Sequence, residues 1–198
     1  LLPDNYTETP FIFLANIDPE LQMKVLDQIR KPKLVMLDTM NFWISSKKEK
    51  LMEVMKKVDV VLLNEGEIRQ LMGIPNIIKA ARALLKQGIK ILIVKKGEHG
   101  VLMFHGDSIF AAPSFPLESV YDPTGAGDTF AGGFVGHLAK TGDISEKNMR
   151  QAIMVGSTMA SFIVEDFSCD RLLRLTEKEI KQRFSEFKRL CHFEDLKS

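Results

Sequence analysis

Short uninterrupted apolar runs alternate with amphipathic helical stretches along the first half of the chain, and this alternation restricts the fold more than any other feature. The runs place strands at 11–15, 33–38 (apolar from Leu34 to Leu37), 60–63 and 91–94. A strand that is apolar along its whole length needs cover on both faces, as strands of a parallel sheet do. The helical stretches between them carry start and stop signals. Asp18 stands before Pro19 and Glu20, an N-cap followed by proline at the first helical position, and Leu21, Val25, Leu26 and Ile29 share one face. Pro32 is expected to stop that helix. Ser46 and Glu49 have capping-box spacing and predict a helix burying Leu51, Val54, Met55 and Val58. A short helix is predicted over 65–72, closed by Gly73. A longer one after Pro75 carries Ile77, Ile78, Ala81, Leu84 and Leu85 and closes at Gly88.

The rhythm then changes. Residues 101–104 and 109–112 flank His105-Gly106-Asp107-Ser108 and predict a β-hairpin. Helices are predicted from near Gly127, with Phe130, Phe134 and Leu138 on one stripe, and over 145–164. A last one opens at a second capping box, Thr176 to Glu179. The pattern predicts an α/β fold, a mainly parallel sheet sandwiched by helices with a small β-hairpin. No repeat or interdomain linker interrupts it, so residues 1–198 are expected to form a single domain.

Composition excludes several classes of function. The formal net charge is +1, which supplies no global field for nucleic acid or an anionic membrane. No apolar run is long enough to span a bilayer. Two cysteines, Cys169 and Cys191, make neither a disulfide framework nor a zinc site, and they point to the reducing cytoplasm. His99, His105, His137 and His192 lack metal-ligand spacing. The chain opens Leu1-Leu2-Pro3-Asp4, with neither an initiator methionine nor the regions of a signal peptide, and is expected to be part of a longer protein.

The segment that carries chemistry is Asp122-Pro123-Thr124-Gly125-Ala126-Gly127-Asp128-Thr129-Phe130-Ala131-Gly132-Gly133. Small residues let backbone N–H groups converge, and at a helix start those groups are unpaired donors backed by the positive dipole end. A carboxylate beside such an anion hole opposes simple anion binding. It makes sense if Asp128 takes a proton from a hydroxyl attacking a phosphoryl group held by the Gly125, Ala126 and Gly127 amides. A dinucleotide fingerprint would need glycine or alanine in place of Phe130 and a strand directly before the loop. A Walker A loop would need Lys and Ser/Thr after the last glycine, and the chain has none. The bland alternative is that Asp128 caps a helix and the glycines turn the chain. The further requirement for small residues at 131–133 weighs against it.

Residues 122–133 resemble the C-terminal signature of the ribokinase-like (pfkB-type) carbohydrate kinases, whose hallmark is D-x-x-G-A-G-D. Two other segments match in order. Asn64-Glu65-Gly66-Glu67 resembles the N-x-x-E motif, and Lys95-Lys96-Gly97-Glu98-His99-Gly100 resembles the K/T-x-G-x-x-G nucleotide loop. The resemblance implies a ribokinase-like, Rossmann-like three-layer fold and an ATP-dependent phosphotransferase acting on an alcohol group of a sugar. A nucleoside kinase of the same family, or a nucleotide-binding or regulatory module without catalysis, remains the alternative.

Roles follow from the resemblance. Asp128 would be the base, and Gly125, Ala126 and Gly127 would stabilise the transferring phosphoryl group. Glu67, with Asn64, would organise Mg2+ through its water shell. Lys95, Gly97, Gly100 and Thr124 would contact ATP, and Ser157 falls near the adenine-pocket position, where the family commonly carries Asn. Taken alone, Glu67 is an ordinary first-turn helix acid and the 97–100 glycines an ordinary turn. Asp38-Thr39-Met40-Asn41-Phe42-Trp43 departs from the family's D-x-N-x-R followed by Trp. Asp38 and Asn41 are expected to face the substrate crevice, and Trp43 to anchor the sheet end. The resemblance leaves room for a monovalent cation beside magnesium and for a homodimer.

Members of the family are substantially longer, with strands and a lid on the N-terminal side. The chain is therefore expected to be the nucleotide-binding portion, weak in ATP–Mg binding and poor in phosphate transfer by itself, with an exposed sheet edge.

Overall fold

The computed structural model describes residues 1–196. The chain divides into two compact units, one made of residues 1–96 and 102–111, the other of 97–101 and 112 onward.

The first unit contains the strands. β1 (Phe11–Leu14), β2 (Leu34–Asp38), β3 (Val60–Asn64), β4 (Ile91–Lys95), β5 (Val101–His105) and β6 (Ser108–Ala112) form one sheet in sequence order. The first four are parallel, with Phe11 opposite Leu34, Met36 opposite Val60 and Val60 opposite Ile91. Every residue of β2 is buried, as are Val60 to Leu63 and Ile91 to Val94. Continuous burial accounts for the absence of alternation in these runs. β5 and β6 are joined by Gly106 and Asp107 alone, a connection short enough only for antiparallel strands. β1 stands at one end of the sheet order and β6 at the other.

The connecting helices are α1 (Asp4–Thr7), α2 (Pro19–Leu26), α3 (Asn41–Ser46), α4 (Lys48–Met55), α5 (Glu65–Met72) and α6 (Ile77–Leu85). Leu51, Val54, Met55, Ile68, Leu71, Ala81 and Leu84 join the strand residues in one buried cluster, and half-buried Trp43 packs against it.

Three local expectations are corrected. α2 ends at Leu26, well before Pro32, because Gln28 and Ile29 donate to carbonyls three residues back and Arg30 N–H turns away to Thr7 O. On α2, Leu21 is exposed and Gln22 takes the inward position. Its amide donates to Ala15 O at 2.9 Å and Asp38 O at 3.2 Å, a demand that sets the helix phase. The capping box expected at Ser46 does not form. Ser46 closes α3, its hydroxyl donates to Phe42 O at 2.7 Å, and the N-cap of α4 is Lys47.

The second unit is helical. A 3-10 turn (Gly97–His99) is followed in the chain by α7 (Ala126–Thr141), α8 (Glu146–Ile163), α9 (Asp170–Leu173) and α10 (Glu177–Leu190). Phe130, Phe134 and Leu138 are buried along α7, as the stripe predicts. The Thr176–Glu179 capping box forms. Among the described residues no helix is long and apolar enough to cross a membrane, and no group of His, Cys, Asp and Glu gathers as a metal cage.

Candidate functional site

Parallel strands present their carboxyl ends together, and in the first unit those of β2, β3 and β4 bring Asp38, Asn64 and Lys95 to one rim. Asn64 is the last residue of β3 and the N-cap of α5. Its Oδ1 accepts from Glu67 N–H at 2.8 Å, while Glu67 Oε2 accepts from Asn64 N–H at 2.7 Å. This reciprocal box satisfies two orphan donors of the helix start. It also fixes Glu67 at the strand end. Burial pushes the Glu67 carboxyl above its ordinary range, and the Asp38 carboxylate adds to the shift. The Asn64 N–H and the Lys95 ammonium oppose it.

Lys95 Nζ meets Asp38 Oδ2 at 2.6 Å, and Asp38 Oδ1 accepts Thr39 N–H at 2.8 Å. The structure thus brings together Asp38, Asn64, Glu67 and Lys95. Asn41 does not join them. It is exposed at the start of α3, and its carbonyl accepts from Ser45 Oγ at 3.1 Å. Gln22 was not singled out by the sequence, although it ties the ends of β1 and β2. Its only sequence signal is a polar residue inside an apolar helix.

The second unit holds the glycine-rich segments. Gly100 has φ +83°, and a Cβ there would lie 2.1 Å from Ala112 O. The 97–100 turn is thereby closed against the backbone at 112–113, and Ser114 Oγ donates to Glu98 O. Gly125 has φ +79° and is the N-cap of α7. The approach is held by Asp122, whose Oδ1 accepts Thr124 N–H at 2.9 Å and whose Oδ2 accepts Ser168 N–H at 3.4 Å. Those N–H groups, Thr124 first, keep its carboxyl below the ordinary range. Ala126 N–H turns back to Pro123 O at 3.2 Å, and Gly125 O accepts Thr129 N–H at 2.8 Å. Gly127 and Asp128 supply first-turn amides beyond it, where a helix has no intrahelical acceptor to offer. The Asp128 side chain is exposed in that first turn. Ser157 is buried on α8, one position from Gly156.

The pfkB family carbohydrate kinase model matches residues 7–174. The chain belongs to this family. It is 33% identical over 150 residues to a cytidine kinase of Thermococcus kodakarensis, a match covering 73% of this chain and 53% of that protein. It is 26% identical over 182 residues to a nucleoside kinase of Methanocaldococcus jannaschii, covering 92% and 57%. The chain spans about half the length of these curated relatives. A crystal structure of Vibrio cholerae fructokinase with fructose, ADP and calcium ion superposes with a TM-score of 0.78 at 18% identity, covering 92% of this chain and 63% of that one. The ribokinase-like fold of the pfkB family is thus the fold of this chain.

Proposed function

We propose that the chain is the nucleotide-handling portion of an ATP-dependent phosphotransferase that phosphorylates an alcohol group of a sugar or of a nucleoside's ribose. One observation carries this reading. Asp128 stands exposed as the third residue of a 16-residue helix that starts on a left-handed glycine N-cap. A carboxylate there is badly placed for holding an anion by itself and well placed to accept a proton beside one.

The second unit carries the chemistry of transfer. As the acceptor oxygen bonds to the γ-phosphorus, its proton passes to Asp128 and the bond to the β-phosphate oxygen breaks, releasing ADP. Amides around Gly125–Gly127 hold the charge on the moving phosphoryl oxygens, with Gly127 and Asp128 the first-turn donors and Ala126 partly engaged by Pro123. Gly97, Gly100, Thr124 and Ser157 line the backbone and helix positions that receive the nucleotide.

The first unit carries charge balance. Glu67 uses one carboxylate oxygen in its box, and its neighbours form no three-ligand cage among the described residues. Such a donor set fits magnesium held through its waters, since that ion dehydrates reluctantly. Bound magnesium would neutralise charge on the nucleotide's phosphates. The chain's own part is to fix the Glu67 carboxylate by its hydrogen bond to Asn64 N–H.

The cytidine and nucleoside kinase relatives support a nucleoside acceptor over a free sugar. The exposed, unpaired thiols of Cys169 and Cys191 suit the cytoplasm. The test is an ATP-consumption screen of the full-length protein against nucleosides and sugars, repeated with Asp128→Asn. The expected result is a loss of about 100-fold or more in kcat with ATP affinity retained. Unchanged turnover in the variant refutes the reading, and ATP binding with no turnover of any acceptor by the parent favours a nucleotide-binding module without catalysis.

A further inference from the structure

Three charges share the rim of the first unit, and their pairing is unequal. Asp38 is aligned with Leu62, and Lys95 with Asn64 two residues further along β3. Residues in register, and residues two apart, point to the same side of a sheet, so Asp38, Asn64 and Lys95 share one face. Lys95 is therefore next to the strand whose end carries the Asn64–Glu67 box. Its ammonium nonetheless passes over the end of β3 to Asp38 on β2, at 2.6 Å. The Asp38 side chain is 7% exposed and that of Lys95 16%, so water screens the pair little. Both Asp38 oxygens are engaged, one by Lys95 and one by Thr39 N–H. That geometry serves a cation of the chain itself.

We propose that Asp38 is a positioning residue that takes the Lys95 ammonium and so keeps it off Glu67, leaving the Glu67 carboxylate to face a hydrated cation. With Lys95 neutralised by Asp38, the rim presents one net negative charge, at Glu67. With Asp38 neutral, Lys95 has Glu67 as its nearest remaining carboxylate on the rim, and the charge offered to a cation vanishes. The electrostatic reach of both Asp38 and Lys95 to Glu67 fits this arrangement. The magnesium clause rests on the phosphotransferase reading above, whereas the pairing clause does not.

The test has two arms. A crystal structure of Asp38→Asn is expected to show Lys95 Nζ within hydrogen-bond distance of the Glu67 carboxylate. Asparagine keeps the acceptor for Thr39 N–H, so the local backbone has its bond. Lys95 remaining away from Glu67 overturns the proposal, whatever the protein binds. In the second arm, calorimetry compares MgATP with metal-free ATP on this chain, in the parent, Asp38→Asn, Lys95→Met and the double variant. The preference for MgATP should fall about tenfold in Asp38→Asn. In the Lys95→Met background the same change should shift it less than in the parent, because only the direct charge of Asp38 on Glu67 is then lost and no ammonium moves. Equal losses in both backgrounds overturn the proposal. Should Asp38→Asn not fold, Lys95→Met decides alone: it must keep the MgATP preference while losing ATP affinity overall, and loss of the preference overturns the idea. A parent chain that binds no ATP overturns the magnesium clause, the phosphotransferase reading is tested separately on the full-length protein, and the crystallographic arm still decides the pairing.

Discussion

Gly133 of α7 and Gly156 of α8 meet backbone to backbone. A Cβ placed on Gly133 would lie 2.9 Å from Gly156 Cα and 3.1 Å from Met159 Cγ, and one placed on Gly156 would lie 2.7 Å from Phe130 O. The helix that carries Asp128 is thus seated on α8 at a contact that admits no side chain. Gly132, one residue away, meets nothing within 4 Å, so only one glycine of the adjacent pair serves the crossing.

That asymmetry gives a paired prediction. Gly156→Ala is expected to lower stability by about 1–3 kcal/mol through overpacking. Gly132→Ala is expected to raise it by about 0.5–1 kcal/mol, because glycine in an exposed helix interior costs conformational entropy. Urea denaturation of the two variants checks both signs. Equal effects would remove the close approach as the explanation.

Gly125 joins a left-handed backbone to a tight fit, since a Cβ there would lie 3.2 Å from Ile163 Cδ1. Gly125→Ala should cost about 1–2 kcal/mol in stability. It should also weaken nucleotide binding, because the amides after it would be re-aimed. Thermal unfolding and ATP titration of the same variant measure the two effects separately.

The Asn64 side chain is half of the box that holds Glu67. Asn64→Ala is expected to destabilise the chain by about 1 kcal/mol, the usual cost of losing such a cap. Asn64→Asp, which retains an acceptor, should recover most of it. Chemical denaturation of the pair is the measurement, and no recovery in Asn64→Asp would count against the capping role.

The C-terminal helix supplies a pH signature. Arg183 stacks on the Phe162 ring with its guanidinium carbon 3.6 Å from the centroid, and it pairs with Glu165 at 2.6 Å. Arg171 bridges Glu165 at 3.0 Å and Glu179 at 2.7 Å. The Thr176 hydroxyl, then Arg171, then Thr176 N–H lower the Glu179 carboxyl from its ordinary 4.5 to about 2. A depressed carboxyl stabilises the folded form fully above its unfolded value, and this is lost as protons bind. Stability owed to Glu179 should therefore be intact at neutral pH and decline between about pH 4.5 and 2. Glu179→Gln should flatten that part of the stability–pH curve, which acid titration followed by circular dichroism can read.

Legibility in the sequence followed the range of the interaction. The helix at 65–72, its Gly73 stop and the Thr176 box involve neighbours a few residues apart, and they fold as their signals predict. Ser46 carried an equally good local signal and failed, because its hydroxyl bonded back to the preceding turn. Gln22 takes the inward place of Leu21 on α2 while Val25, Leu26 and Ile29 pack on the core as their stripe predicts, because buried strand-end carbonyls needed donors. Arg171 and Arg183 gave no signal, since what they bind is fixed by how α8, α9 and α10 pack.

The sequence by itself determined the β/α order, the family and the identity of the glycine-rich helix start, because periodicity, caps and turns are short-range physics. Only the tertiary structure decided which charges meet. Asp38 and Lys95 are 57 residues apart, and no spacing rule links them. Their pairing exists because parallel register brings the ends of β2 and β4 to one rim, where burial makes an unpartnered charge costly. The same holds for Gly133 and Gly156, whose smallness the sequence displays but whose contact only helix packing creates.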